Sequence, residues 1–506
     1  MLNAPSLKKN IVANYISQFY VALIGVALIP LYVRFMGEEA YGLIAFFMVI
    51  QTWFLFFDLG ISPTITRQTA SFNGGKCSAS NLCQLLRFFE IIFVFIAMAC
   101  VVSVICSANF ISENWLNFEN LCLNDVYLSL QLMGVIASLR LVSGLYRGVI
   151  NGFEKQVWLS FFNIIISTLR FVFIIAIFFL IGTNVFVFFS YQLMVAVLEI
   201  TVLIWKSYSI LPKKFPNFFQ SFSIPKFGDT LRFSLTVAFT GSVWILVTQT
   251  DKLLLSKLLT LNQYAYFSMA VLLANGLMTV SAPISNAVLP RMSRIFSENN
   301  EKELIATYRN ATRLTMIIMF PIALLFILFP DKLLWTWTGD SEVVEQTSTI
   351  LQLYSIGNVF LILSAFPYYL QFAKGNLRMH FYGNILFIFL IVPLLVAATL
   401  KFGVHGAGYV WMISNMLFFI FWVPFIHSYF ASKIHLKWLF EDILSFVLAM
   451  IIVGFLIIYF INWPSGRLQV ALILISITAL FLLSGIISDS YCRNIIANKI
   501  RIKYAK

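Results

Sequence analysis

The chain has 506 residues, 60% of them hydrophobic and 11% charged, with a mean hydropathy of +0.89; soluble domains are about 25% charged, so a soluble globule is excluded. The apolar residues come in blocks of about 20 or more, which gives an all-α polytopic membrane protein and excludes a β-barrel of short alternating strands. The net charge of +13 does not mark a nucleic-acid partner, because the basic residues stand at the ends of apolar blocks, where they set topology, rather than in one cluster.

The chain opens with Lys8 and Lys9 before an apolar run from Ile11 to Val33, too long for a cleaved signal sequence and read as an uncleaved first span. Apolar run lengths predict about 14 spans, at 11–33, 41–62, 86–108, 126–148, 158–181, 184–206, 231–257, 264–289, 314–336, 346–373, 381–400, 405–430, 440–461 and 468–488. With the N-terminus in the cytoplasm, inside segments carry most of the Lys and Arg, among them Arg67, Lys213, Arg291, Lys374 and Arg493. Outside segments then hold only Arg34, Lys257, Lys332, Lys401 and Arg467, an asymmetry that places both termini inside.

Sliding the chain on itself by about 223 positions lays Tyr41-Gly42-Leu43 on Tyr264-Ala265-Tyr266, Arg67 on Arg291 and Phe72 on Phe296, a weak parallel repeat about the membrane normal. The expected organisation is an N-lobe of spans 1–6 (1–206), a cytoplasmic linker (207–230) with Pro212, Pro216 and Pro225, and a C-lobe of spans 7–12 (231–430). Spans 13 and 14 (431–488) and a basic cytoplasmic tail (489–506) complete it.

Polar residues inside the spans fall in stripes at helical spacing. Span 2 carries Gln51, Asp58 and Ser62 on one face; span 4 carries Arg140, Gly144, Arg147 and Asn151. Arg147 lies near the inner end and reads as an ordinary topology residue, whereas Arg140 is deeper and either snorkels or lines a cavity. Span 5 places Ser160, Asn163, Ser167 and Arg170 on a single face, and span 6 pairs Gln192 with Glu199. Ser and Asn there serve as packing glue or as cavity lining, and the depth of Arg170 favours the lining.

Span 7 has the stripe Thr240, Trp244, Thr248 and Asp251, with Lys252 next to it. Each ionised group near a bilayer centre costs about 3 kcal/mol on insertion scales. Adjacent helical residues point about 100° apart, so Asp251 and Lys252 are not expected to neutralise each other and need another helix or a wet cavity. Carboxylates placed like Asp58, Glu199 and Asp251 either exchange a proton or bind Na⁺, or form buried ion pairs with Arg140, Arg170 or Lys252. Glu90, in the first turns of span 3, is read as helix-terminal.

Span 8 offers Asn275, Thr279 and Asn286 around Pro283, and span 10 offers Tyr354, Asn358 and Tyr368. Amides and aromatics suit sugar rings and also suit helix packing. The four histidines stand near span ends and receive no role. The six cysteines show no metal spacing; Cys106 and Cys122 either bridge or remain thiols. No nucleotide loop, zinc pattern or metal-binding aspartate pair occurs, so neither an enzyme nor a cofactor is expected.

Together, Arg34-Phe35-Met36-Gly37, Tyr41-Gly42-Leu43, Phe57-Asp58-Leu59-Gly60-Ile61 and Arg67, then Thr250-Asp251-Lys252 and Leu289-Pro290-Arg291, cover most of the chain in order. In these the chain resembles the Wzx-type O-antigen and lipid-linked oligosaccharide flippases of the polysaccharide transporter family, in the multidrug/oligosaccharidyl-lipid/polysaccharide exporter (MOP) superfamily. Members often have twelve spans, and fourteen matches a recognised variant. The resemblance implies a MATE-like fold of two six-helix lobes around a cationic cavity, with two further C-terminal helices. It implies alternating-access transfer of an undecaprenyl-diphosphate-linked glycan across the bacterial inner membrane. In that scheme Arg140, Arg170 and Lys252 attract the diphosphate or acidic sugars, and Asp58, Glu199 or Asp251 couple to an H⁺ or Na⁺ gradient. Asn163, Ser167, Thr248, Asn275, Asn286 and Asn358 line the cavity. The implied partners are the lipid-linked glycan, the ion, the lipid bilayer and other polysaccharide-assembly proteins.

Three other readings compete. A small-molecule cation antiporter of the same superfamily would need no lipid carrier. A polysaccharide polymerase or ligase would need a large extracytoplasmic loop, where none longer than roughly 20 residues is expected. A non-transporting scaffold has no use for intramembrane charges.

Overall fold

The computed structural model describes residues 7–73, 75, 78–211 and 228–488. The expected tail at 489–506 and most of the expected linker at 207–230 lie outside them, as do the side chains of Thr240 and Asn286. The first helices are α1 (Leu7–Ala27), α2 (Ile29–Met36), α3 (Glu38–Phe54), α4 (Ile61–Asn73), α5 (Ala79–Phe110), α6 (Leu123–Gly152), α7 (Gln156–Thr168), α8 (Ile174–Leu180), α9 (Val185–Ile210) and α10 (Gly228–Leu258). There follow α11 (Leu261–Ser297), α12 (Glu301–Leu328), α13 (Pro330–Thr338), α14 (Ser341–Ala373), α15 (Arg378–Leu417), α16 (Val423–Phe430), α17 (His435–Leu439), α18 (Ser445–Phe460) and α19 (Arg467–Ser488).

Among the described residues, 12 helical segments are long and apolar enough to cross a membrane. One of them, Arg378–Phe430, has 53 residues and breaks at Gly403, whose φ of 60° no right-handed helix accommodates. That break falls between the expected spans 381–400 and 405–430, and the 31-residue α10 stands apart from the 12. These two features account for the further spans read from the sequence. Span 2 is shorter than expected: α3 ends in a 3₁₀ turn, Leu55–Asp58, and Leu59 (φ 49°) and Gly60 (φ 69°) are left-handed before α4 begins. Two consecutive left-handed residues cannot continue a right-handed helix.

The chain divides into two compact units, Met1–Ala265 and Tyr266–Lys506. In the first, α6 is the hub, packed against α4, α5 and α9, while α1 lies on α7 and α10 on α3 and α4. The contact of α6 with α4 runs along Gly144, Gly148 and Gly152. A Cβ at Gly148 would stand 2.6 Å from Ile65 Cγ2 and 2.7 Å from the Ser62 carbonyl; at Gly152 it would stand 2.4 Å from Thr69 Cβ. Small residues at this spacing let membrane helices approach closely, since apolar burial alone does not distinguish helix from lipid. Beside it, Leu82, Leu86, Phe93, Leu145 and Val149 form a buried apolar cluster.

The segment between α5 and α6 is stitched down at several points. Glu39, in the first turn of α3, accepts from the backbone N–H groups of Glu119, Asn120 and Leu121 at 2.8, 2.8 and 3.1 Å. Asn117 O accepts from Leu261 N at 2.8 Å, and Trp115 Nε1 donates to Ser256 Oγ at 3.0 Å. Cys106 and Cys122 are free thiols, so the bridge considered for them is not formed.

The second unit has its core around Tyr308, Phe366, Trp438, Phe446 and Phe481. A polar knot lies against it. Asp442 is fully buried and takes Arg309 Nε at 2.6 Å and Arg313 Nη2 at 2.6 Å, and Glu441 takes Arg309 Nη2 at 2.5 Å. Trp438 Nε1 donates to Thr312 Oγ1 at 2.8 Å, and Tyr308 Oη meets His427 Nε2 at 2.7 Å.

Replacing Gly148 by Leu drives a side chain into backbone and side-chain atoms of α4 and is expected to destabilise the chain by about 1–3 kcal/mol. Thermal denaturation in detergent checks this, with Gly25→Ala, which has open space within 4 Å, as a control expected to melt like the parent.

Candidate functional site

The site is built on an irregularity in span 5. Between α7 and α8 the residues Leu169–Phe173 form a π-helical turn, a widening that frees carbonyls from the regular ladder and recurs at functional sites. In lipid a freed carbonyl must find a partner inside the protein. Three consecutive ones do. Leu169 O accepts from Tyr191 Oη at 2.8 Å, Arg170 O from Gln192 Nε2 at 3.0 Å, and Phe171 O from Tyr32 Oη at 2.6 Å. The turn preceding it is tied by Thr168 Oγ1 to Tyr20 Oη at 2.7 Å.

The Arg170 side chain held by this turn reaches Glu199 on α9, and its Nη2 pairs with Glu199 Oε2. The other oxygen, Oε1, takes Arg147 Nη2 at 2.6 Å, while Arg147 Nη1 donates to Asn163 Oδ1 at 2.5 Å. Glu199 itself is 3% exposed. Arg140 lies in the same chamber: Nη1 donates to Gln51 Oε1, Nη2 to Gln192 Oε1 at 3.2 Å, and the guanidinium sits 5.3 Å from the Phe47 ring centre. Gln192 therefore joins two arginines, accepting from one side chain and donating to the backbone of the other. Buried Nε groups of Arg140 and Arg170 have no hydrogen-bond acceptor.

These groups open on a cavity of about 220 Å³ lined by Arg140, Arg147, Arg170, Glu199, Gln51 and Phe54, among others. Three guanidiniums face one carboxylate, so the chamber carries an excess of two positive charges among membrane-length helices. Arginine forks match the oxygens of carboxylates and phosphates, which makes the chamber suited to an anion.

Of the residues singled out in the sequence, Arg140, Arg170, Glu199 and Asn163 meet here. Ser160 and Ser167 are buried on the same helix as Asn163. Arg147 was expected to be a topology residue; it is instead a full member of the cluster. Depth along α6 does not reveal that Glu199 and Asn163 project from two neighbouring helices to meet it. Arg140 does not snorkel but is held by two glutamines.

Lys252 and Asp251 are elsewhere in the first unit and do not line this cavity. They pair with each other, which the Cβ directions argued against and the ion-pair alternative for Asp251 allowed: Nζ lies 3.1 Å from Oδ1, and Lys252 Nζ also donates to Thr248 O at 2.5 Å. The Cβ directions diverge, but the four-carbon lysine stem bends back across the helix surface and closes the gap. The Thr248 hydroxyl bonds to Trp244 O at 2.8 Å. Asp58 accepts from the Ser62 backbone N–H at 3.3 Å and from its hydroxyl, across the break between α3 and α4.

Glu90 is not merely helix-terminal: it accepts from Tyr146 Oη at 3.0 Å and Tyr208 Oη at 2.7 Å. In the second unit, Asn358 donates to Asn275 Oδ1 at 3.2 Å and accepts from Trp411 Nε1 at 3.0 Å, joining α11, α14 and α15. Asn286 lies outside the described side chains.

The family model described as "Polysaccharide biosynthesis protein" matches residues 7–296, and that described as "Lipid II flippase MurJ" matches residues 224–479. The chain is 22% identical over 419 residues to a Shigella flexneri protein named "Putative O-antigen transporter", covering 81% of this chain and 96% of that one. Among solved structures, a lipid II flippase MurJ in an inward closed conformation aligns with a TM-score of 0.72 at 18% identity, over 96% of this chain and 99% of that one. An inward-facing multidrug resistance MATE family transporter of the MOP superfamily aligns with a TM-score of 0.65 at 14% identity, over 83% and 98%. At such identities these likenesses establish the fold.

Removing the side-chain caps of the π turn should loosen it. Gln192→Leu strands the Arg170 carbonyl and one Arg140 donor, at a cost of about 1–3 kcal/mol for each group left unsatisfied. Tyr32→Phe strands only the Phe171 carbonyl. Amide hydrogen exchange should accelerate across 169–173, more in Gln192→Leu than in Tyr32→Phe, with α19 unchanged in both.

Proposed function

The chain belongs to the polysaccharide biosynthesis protein family, and on that premise we propose that it is a flippase for a lipid-linked oligosaccharide: a carrier rather than an enzyme. The supporting observation is the chamber itself. Arg140, Arg147 and Arg170 surround one carboxylate inside helices long enough to cross a bilayer. Ionisable groups at such depth are expensive and mark transport pathways. A permanent positive excess lining a half-open cavity suits a cargo that is anionic at its head, as a lipid-linked diphosphate is.

In this reading the cargo is an undecaprenyl-diphosphate-linked repeat unit of O-antigen or a related surface polysaccharide. It moves from the cytoplasmic to the outer leaflet of the bacterial inner membrane by alternating access. Arg140, Arg147 and Arg170 hold the diphosphate, with Asn163 and Gln192 keeping two of them in place. Both termini face the cytoplasm, in line with the distribution of Lys and Arg between segments. Asp58 and the Asp251–Lys252 pair are positions where an H⁺ or Na⁺ gradient would couple, because each is a carboxylate held within or beside a span. Other polysaccharide-assembly proteins would deliver the cargo and take it away. A small-molecule antiporter has less support: a drug-sized cation would be repelled by the arginine excess.

Deleting the gene is expected to make a lipid-linked oligosaccharide accumulate on the inner leaflet. Restoring the parent sequence should clear it, whereas Arg147→Ala or Arg170→Ala should reduce clearance at least about tenfold. Mass spectrometry of extracted lipids, with membrane levels of each variant checked by immunoblot, decides. No accumulation on deletion, together with uptake of a soluble cation by vesicles, would assign the chain to the antiporter class.

A further inference from the structure

We propose that Glu199 is a built-in competitor for the cargo's anionic head. It occupies Arg147 and Arg170 while the chamber is unloaded, and an arriving lipid diphosphate must displace it. This rests on the flippase reading above and adds to it how the site selects and releases its cargo.

The bridging geometry carries the inference. A phosphate is best held by two parallel N–H groups of one guanidinium. Both terminal nitrogens of Arg147 are already committed, Nη1 to Asn163 and Nη2 to Glu199 Oε1 at 2.6 Å. Arg170 offers a free Nε, but the Nη2 that would complete its fork is on Glu199 Oε2. Arg140 likewise has a free Nε, with both terminal nitrogens on glutamines. Each terminal nitrogen still carries a second N–H, so an entering anion can bind beside Glu199. The position that bridges Arg147 and Arg170, however, is already held by that carboxylate, one oxygen on each guanidinium, and an anion takes it only by displacing Glu199.

Glu199 is thus bound as a carboxylate ligand would be, by two guanidiniums, one on each oxygen. Its attachment to α9 makes it always present at high local concentration. A ligand of one negative charge gains little by exchange, because it replaces one anion by another. A diphosphate that links a lipid to a sugar carries one charge on each phosphorus, and these two match the excess of two left by three guanidiniums and one carboxylate. It can span Arg140 and the Arg147–Arg170 pair together. Glu199 then favours diphosphate diesters over singly charged phosphodiesters, and its return to the arginines helps expel the cargo.

The test measures binding of an undecaprenyl-diphosphate-linked sugar, with two charges, and of an undecaprenyl-phosphate-linked sugar, a phosphodiester with one, to the full chain in nanodiscs, by native mass spectrometry or by tryptophan fluorescence. The parent is expected to prefer the diphosphate. Glu199→Gln should bind both at least about tenfold tighter, and the singly charged phosphodiester should gain more, so that the preference shrinks. Glu199→Asp keeps the charge but is one methylene too short to bridge both guanidiniums; it should tighten binding by a smaller factor, and it carries the test if the Gln variant does not fold. Binding of the diphosphate that is unchanged or weaker in the folded variant overturns the competition while leaving the flippase reading intact. Failure of both the folded parent and the folded variant to bind the diphosphate overturns the flippase reading and this inference with it.

Discussion

The carboxylate of Glu199, shared between two guanidiniums among helices long enough to cross a membrane, is the interaction on which the first unit depends. Apolar contact does little to choose between a neighbouring helix and a lipid tail, so polar contacts decide which helices assemble and at what depth. Here α6 supplies Arg140 and Arg147, span 5 supplies Asn163 and Arg170, α9 supplies Gln192 and Glu199, and α3 supplies Gln51. Losing one partner of a buried ion pair costs about 3–5 kcal/mol, because the remaining charge stays desolvated. The network is therefore costly to break and well suited to fixing the register of four helices at once.

The backbone is shaped to serve that network. A regular helix through 169–173 would keep its carbonyls in the ladder and offer nothing to α2 and α9. The π turn releases them, and Tyr32, Tyr191 and Gln192 take them up, so the segment that carries Arg170 is gripped from two helices, α2 and α9. The glycines of α6 act on another boundary. By admitting α4 to backbone contact at Gly148 and Gly152, they hold the helix that bears Arg140 and Arg147 against the Ser62 and Thr66 carbonyls, which cannot yield as a flexible side chain can.

Much of this was legible in the sequence, and the failures have physical causes. Apolar run length located the spans, because the bilayer imposes it. Helical spacing placed Asn163 and Arg170 together and singled out Glu199. The role of Arg147 was hidden because spacing within one helix says nothing of what a second helix presents to it. Asp251 and Lys252 were misjudged from Cβ directions, which ignore the reach of a lysine. Gly144 was noticed as part of a polar stripe, while Gly144, Gly148 and Gly152 in fact repeat every four residues as a packing surface. The π turn left no signal, since Leu169–Phe173 is as apolar as its flanks apart from Arg170 itself.

The two units use buried charge to different ends. In the second, Arg309 and Arg313 meet Asp442 and Glu441, two cations against two anions, with Asp442 fully enclosed. A balanced knot of this kind has no charge left to offer, and it fastens α12 to the segment that opens α18. In the first unit, two guanidiniums share one carboxylate and a third, Arg140, is held only by glutamines, and two buried N–H groups stay without acceptors. An excess that must be desolvated to exist is a poor structural device, since a second carboxylate on α3 or α9 would stabilise the same helices at lower cost. An anion entering the cavity would supply the missing negative charge, and this is the ground on which the first unit, rather than the balanced second, is proposed to handle the head of the cargo.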